Sequence, residues 1–280
     1  MFFFLTAFIL ADMGYDIWLP DLRGNTYSKK HVNLTPRQSE FWDFSWHEQG
    51  VIDSPAVIDF ILETTGREKL FHLGHSMGTT IFYAMTAVRP EYNNKIVVHF
   101  SLAPIAYMGN MKANYILWPM AENSRFLLSA IPTFASHCPS GSSLKTIQHY
   151  AQVMLRDEFG WYSYGPKNNL RLYGSETSPL YNLSAITTKI SFHYSYNDYL
   201  SSPKDVKRLA AQLPNVIGMY PTKWKNFNHI DYLWAVDSRR LLFDDIIRIL
   251  ERFSEPSSKI RFSASNITSS TSYEQSNAIS

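Results

Sequence analysis

The sequence predicts an α/β chain: a mostly parallel sheet with helices on both faces, interrupted by a helical cap insertion. Short apolar runs alternate with helical stretches at the spacing of strand–helix–strand units. The alternation lapses over residues 105–185 and then resumes. Hydrophobic residues make up 45% of the 280 and charged residues 18%, enough apolar material for one large buried core.

The elements follow in order. Residues 2–11 are apolar, with no Lys or Arg before them and no small-x-small cleavage site after, so they read as a core helix rather than a signal peptide. The run is too short to span a bilayer, and no other stretch has transmembrane character. Gly14 supplies the helix C-cap. Residues 15–20 read as a short buried strand, followed by a polar loop through Arg23, Gly24 and Asn25. Residues 51–65 read as a helix presenting Val57, Ile58, Phe60 and Ile61, and Gly66 stops it. Residues 69–75 form a strand running straight into Gly74-His75-Ser76-Met77-Gly78. Residues 79–88 are apolar nearly all round, as in a helix buried inside a domain. A further buried strand, 96–102, ends in Ala103-Pro104.

Residues 105–185 are rich in Met, Trp, Tyr and Phe, including Met108, Met111, Trp118, Met120 and Phe126, and read as a lid over an apolar site, the alternative being a helical satellite with its own small core. The pattern then resumes with a strand at 190–196, a helix at 203–212, a strand at 215–220 and a helix at 232–253. The domain plan is thus a core in two parts, 1–104 and 186–253, split by the cap insertion 105–185. Residues 254–280, dominated by Ser, Thr and Asn, read as a disordered tail.

The formal charge is +2, and no Lys/Arg cluster interleaves with aromatics, which argues against nucleic acid as a partner. Cys138 is the single cysteine, which excludes an intrachain disulfide and a cysteine-based zinc site. Neither a metal nor an organic cofactor is called for. Sequons at Asn33, Asn182 and Asn266 are compatible with secretion.

The strongest chemical signal is Gly74-x-Ser76-x-Gly78. By composition this pattern arises in roughly one chain in ten of such length, so its setting carries the argument. It lies between a buried strand and a buried helix, where a nucleophile is presented on a strained turn. Side chains two residues to either side would collide there, and glycine removes the clash. The helix that follows aims its N-terminal dipole at an oxyanion forming beside Ser76. A serine nucleophile needs a base, and the base an orienting carboxylate, in the chain order Ser, Asp or Glu, His. Asp198 follows the strand 190–196 and sits where the acid belongs; its rival, Asp205, falls inside the next helix. Of nine histidines, His31 and His47 precede the serine, His72 and His75 lie in or beside its strand, and His99 and His193 lie in other strands. His137 and His149 belong to the insertion, which leaves His229, in the loop between the last strand and the last helix, as the base.

With these residues in place the chain resembles the acid lipases of the gastric and lysosomal type, including their insect relatives. The resemblance rests on Asp12-Met13-Gly14-Tyr15-Asp16-Ile17-Trp18-Leu19, Arg23-Gly24-Asn25-Thr26-Tyr27-Ser28 and Phe41-Trp42-Asp43-Phe44-Ser45-Trp46-His47-Glu48. It continues in Gly74 to Thr80, Leu102-Ala103-Pro104, His137-Cys138-Pro139-Ser140-Gly141, Asn197-Asp198 with Pro203-Lys204-Asp205-Val206, and Phe227-Asn228-His229-Ile230-Asp231-Tyr232-Leu233-Trp234. It implies an α/β-hydrolase fold and a secreted or lysosomal enzyme that works at a lipid–water interface. Its substrates would be triacylglycerols or sterol esters, and its triad Ser76, Asp198 and His229. It further implies that the Met77 N–H is half of the oxyanion hole. The family's other half comes from a His-Gly-Leu segment that would precede this sequence, and its cap is longer and carries a disulfide. The expectation is a serine ester hydrolase. The alternatives are a catalytically impaired or lipid-binding form lacking half the oxyanion hole, and a use of the same triad in acyl transfer or thioester hydrolysis.

Overall fold

The computed structural model describes residues 4–112 and 142–254. Four strands, β1 (Leu70–His75), β2 (Ile96–Leu102), β3 (Ile190–Tyr194) and β4 (Val216–Pro221), form one parallel sheet in the order β1-β2-β3-β4. β3 is buried throughout and β2 almost so, which is why both read as continuous apolar runs rather than as alternating ones.

The helices lie on two faces. The first apolar run forms α1 (Phe4–Asp12). It ends in a Schellman motif: the Gly14 N–H donates to the Ala11 carbonyl at 2.8 Å and the Tyr15 N–H to the Leu10 carbonyl at 3.1 Å, with Gly14 at φ 87°. The expected helix at 51–65 starts earlier than its apolar periodicity indicates. It opens as α2 (Trp46–Glu48), passes through a π-helical turn (Gln49–Asp53) and continues as α3 (Ser54–Thr65) to Gly66, at φ 64°. The start signal is a capping box, in which the Ser45 N–H donates to Glu48 Oε2 at 2.6 Å and the His47 N–H to Ser45 Oγ at 3.1 Å. Gly50 permits the close approach of this turn to α4 (Met77–Val88), since a Cβ there would stand 2.8 Å from the Ile81 carbonyl oxygen.

Further along the chain come α5 (Leu144–Arg156), α6 (Pro166–Tyr173), α7 (Pro203–Ala210), α8 (Asp231–Trp234) and α9 (Asp244–Phe253). On one face of the sheet, α4 packs Phe82 and Tyr83 over β2. Phe82 stacks on His99 at 3.6 Å, and the Tyr83 hydroxyl bonds Ser101 Oγ. On the other face, Val98, Phe100 and Leu102 meet Leu10 of α1, Phe227, Tyr232, and Ile246 and Leu250 of α9.

Three expectations need correction. Residues 15–20 are extended but are no strand, because no neighbouring strand among the described residues takes up their backbone groups. Their side chains alternate only over 15–18, with Tyr15 and Ile17 turned to the core and Asp16 and Trp18 outward, and none of 15–20 is fully buried, Leu19 lying exposed. The expected helix 232–253 is broken, since Ala235 adopts an extended ψ of 124° after α8, and the chain re-enters helix through a π turn (Arg239–Phe243). β3 ends at Tyr194, two residues short of the expected 196, because the chain turns there toward Asp198.

The segment between β2 and β3 is partly described. Met108 and Met111 are buried in the main core with Val153, Met154, Phe159 and Tyr181. Trp118, Met120, Phe126, His137 and Cys138 lie outside the described residues, as do Asn266 and nearly all of the expected tail, 254–280.

Candidate active site

β1 ends at His75 and α4 begins at Met77, so Ser76 alone makes the turn, at φ 52° and ψ −116°. This positive φ is costly for a residue with a side chain and persists only where the surroundings hold it. Here they do. The Ser76 N–H donates to the Leu102 carbonyl of β2 at 3.0 Å, and the Ser76 carbonyl accepts from the Thr79 N–H at 2.9 Å and from Thr79 Oγ1 at 2.6 Å. Beside it Ala103, at φ 46°, donates its N–H to the His193 carbonyl at 3.0 Å, so the carboxyl ends of β1, β2 and β3 are tied side by side.

The two motif glycines turn out to be unequal. A Cβ on Gly74 would stand 2.8 Å from the Gly78 carbonyl carbon and 2.9 Å from its oxygen, so glycine is needed there. A Cβ on Gly78 would meet nothing within 4 Å, and the expected steric demand at that position is absent. The clash runs one way because the strand side chain points at helix backbone, whereas the Cβ at Gly78 points to open space.

Asp198 reaches the same spot from the turn after β3 and is fully buried. Its Oδ1 accepts from the Leu200 and Ser201 N–H groups, both at 2.8 Å. Its Oδ2 lies 2.8 Å from His229 Nδ1, and His229 Nε2 lies 2.7 Å from Ser76 Oγ. A carboxylate can only accept, so His229 carries its proton on Nδ1 and presents Nε2 as the acceptor for the serine hydroxyl. The structure thus brings Ser76, His229 and Asp198 into one hydrogen-bonded line. Met77, as the first residue of α4, has a backbone N–H that the helix itself cannot use.

Asp205 does not join them. From the first turn of α7 it accepts from the Asn110 N–H at 2.9 Å and Asn110 Nδ2 at 2.7 Å, anchoring the start of the β2–β3 segment. Burial holds its carboxyl above the usual range.

The loop bearing His229 is itself secured. Phe227 is fully buried, the Asn228 N–H donates to Asp231 Oδ2 at 2.7 Å, and Asn197 Nδ2 donates to the Asn226 carbonyl at 2.8 Å, joining the turn of Asp198 to the loop of His229. His75 Nε2 donates to the His229 carbonyl at 3.0 Å, a role that its place at the end of β1 does not reveal. Burial and then the adjacent His229 push the His75 pKa down to about 4, so the donor ring is neutral. The other described histidines serve the interior or the surface. His72 and His99 hydrogen-bond through Nδ1 atoms 2.9 Å apart, His193 bonds Ser191, His47 bonds the Tyr181 hydroxyl, and His149 donates to the Gly160 carbonyl. His31 accepts from two loop N–H groups at the surface. Among the described residues, no group of three or more His, Cys, Asp or Glu is gathered for a metal, and no helix is long and apolar enough to cross a membrane.

Residues 6–119 match the family described as the alpha/beta hydrolase fold. The chain is 36% identical to "Lipase 1" of Drosophila melanogaster, over 90% of this chain and 67% of that protein. It is 31% identical to "Gastric triacylglycerol lipase" of Bos taurus (87% and 73% of the two chains) and 30% identical to "Lipase member N" of Mus musculus (88% and 74%). In shape it is similar to the crystal structure of VinJ, with a TM-score of 0.51 at 14% identity over 90% of this chain and 86% of the other, a likeness of fold alone.

Proposed function

We propose, from the premise that this chain belongs to the gastric and lysosomal acid lipase family and is a carboxylic ester hydrolase of the α/β-hydrolase fold, that it cleaves lipid esters through Ser76, His229 and Asp198. The observation carrying this reading is the pair of hydrogen bonds from Ser76 Oγ to His229 Nε2 (2.7 Å) and from His229 Nδ1 to Asp198 Oδ2 (2.8 Å). Ser76 Oγ attacks the ester carbonyl as His229 Nε2 takes its proton, and the imidazolium formed is stabilised by Asp198. His229 then returns the proton to the leaving alcohol, and a water activated by the same base releases the acid from the acyl-enzyme. The Met77 N–H supplies one donor to the oxyanion. Triacylglycerols or sterol esters are the substrate class, at a lipid–water interface, with the β2–β3 segment as a cap that binds acyl chains. A secreted or lysosomal location follows from the same reading, with the exposed sequon residues Asn33 and Asn182 as the sites a glycan would occupy.

The test is active-site labelling. A fluorophosphonate probe should modify Ser76 in the purified chain, and Ser76→Ala should abolish the label. A chain that binds lipid esters but takes no label would favour a lipid-binding protein without catalysis.

A further inference from the structure

The cap segment and Ser76 are joined by an unbroken line of hydrogen bonds, buried at its centre. The Tyr150 hydroxyl of α5 donates to Thr80 Oγ1 at 3.0 Å, and Thr80 Oγ1 donates to the Ile105 carbonyl at 2.7 Å. On the other side of the same residue, the Ile105 N–H donates to Thr79 Oγ1 at 2.9 Å, and Thr79 Oγ1 donates to the Ser76 carbonyl at 2.6 Å. Each hydroxyl has one proton, and every proton in the line is committed in one direction. Thr79, Thr80 and Ile105 are almost wholly buried, and the two bonds to Ile105 lie in the interior, where a lost partner is not replaced by water.

Ile105 is where the chain leaves the sheet for the β2–β3 segment, and Tyr150 is where that segment returns onto α4. The two threonines grip Ile105 through both its backbone groups. Ser76 stands at a positive φ, and its carbonyl is held from the same side by the Thr79 hydroxyl.

We propose that Tyr150, acting through Thr80, Ile105 and Thr79, is a positioning residue that couples the seating of the cap segment to the alignment of Ser76. This rests on the assignment of Ser76 as the nucleophile. Loss of the Tyr150 hydroxyl leaves Thr80 Oγ1 without its donor and loosens α5 over the turn, while the groups that bind a small ester are untouched. The signature is a lower kcat at unchanged KM.

The experiment uses the full chain with Tyr150→Phe, Thr80→Val, the double variant and Thr80→Ser. It measures the rate of fluorophosphonate labelling per folded molecule, together with kcat and KM on a short soluble ester. Tyr150→Phe should slow labelling and kcat about 3–10-fold with KM unchanged, on the scale of one lost buried hydrogen bond. The double variant should be no slower than Thr80→Val alone, and Thr80→Ser, which keeps the hydroxyl, should match the parent. Full-rate labelling of Tyr150→Phe, or additive losses in the double variant, would overturn the coupling while leaving Ser76 as nucleophile. A parent chain labelled elsewhere than Ser76 would remove both readings. If Thr80→Val fails to fold, Tyr150→Phe beside Thr80→Ser still decides the matter.

Discussion

His75 donates a hydrogen bond from Nε2 to the backbone carbonyl of His229 at 3.0 Å, so the residue before Ser76 holds the loop that carries His229. The rings stand 5.0 Å apart, and Tyr232 closes the other side of His75 at 5.6 Å. Replacing His75 with Leu removes the donor and leaves a partly buried carbonyl unpaired, a loss of about 1–3 kcal/mol in the placement of the loop. The expected result is a kcat roughly 10–100-fold lower with KM little changed, in proportion to that energy. His75→Gln, which can still donate, should recover part of the rate. Equal activity of the Leu and Gln variants would show that the contact does not position the base.

Asp198 and Asp205 are both buried carboxylates in the same stretch of chain, but only Asp198 bonds an imidazole. Asp198→Asn should lower turnover by about 10⁴-fold, because the amide no longer fixes the tautomer of His229. Asp205→Asn should leave turnover within a few-fold and instead weaken the anchor on Asn110, a stability loss of about 1–2 kcal/mol. Denaturant unfolding and esterase rates on both variants separate the two roles, and a reversal of the two effects would displace Asp198 as the acid.

Gly74→Ala and Gly78→Ala should behave oppositely although the motif treats them alike. The first places a Cβ 2.8 Å from backbone that cannot yield, so the variant should be strongly destabilised or insoluble. The second finds open space within a helix, where alanine is favoured over glycine by about 0.5–1 kcal/mol. A thermal melt of each variant reads the difference directly. An unstable Gly78→Ala would contradict the geometry of the turn.

Stability should fall on acidification. Burial is the leading cause holding His72 and His75 at a pKa of about 4, and His149 and His193 at about 3, with His99 also well below its ordinary value. Their folded forms are neutral, while the unfolded chain takes up protons near pH 6.5, so the unfolded state binds more protons and gains as pH falls. The contribution is complete above about pH 6.5 and is lost progressively toward pH 4 and below, at up to about 1.4 kcal/mol per pH unit for each group. Urea unfolding at pH 7.5 and pH 5 should show a loss of at least about 2 kcal/mol. A flat or rising stability over that interval would mean that these rings are protonated in the folded chain.

The cap reading is tested by replacing residues 113–141 with a Gly/Ser-rich segment of equal length. Larger excision would remove Met108, Met111, Val153 and Phe159 from the main core and confound the result. Hydrolysis of a short soluble ester should be spared, while a long-chain triacylglycerol should be hydrolysed at least about tenfold more slowly, the effect of a lost apolar contact surface. Equal loss on both substrates would count against a cap that binds acyl chains.

The order of elements and the positions of Ser76, Asp198 and His229 could be read from the chain because each has a local cause. Apolar runs of strand length recur between helices. The strand 69–75 meets a helix through a single Ser76, and Asp198 and His229 each follow a strand. The start of the helix at Trp46 was equally local, since Ser45 and Glu48 form a capping box, but Gly50 and Pro55 obscure its periodicity.

What the chain alone could not decide depended on neighbours distant in sequence. Residues 15–18 have the alternation of a strand, yet a strand is made by its partner's N–H and C=O groups, and these are not supplied by any described residue. Gly74 and Gly78 are indistinguishable in the motif and differ only in which one faces backbone across the turn. His75 donates to a carbonyl 154 residues away, and Tyr150 to a threonine 70 residues away, so neither partner leaves a mark in local composition. Local periodicity and turn chemistry determined the elements and named Ser76, Asp198 and His229. The hydrogen bonds that hold those three in place come from packing, because a buried polar group must find its partner wherever the fold brings one within 3 Å.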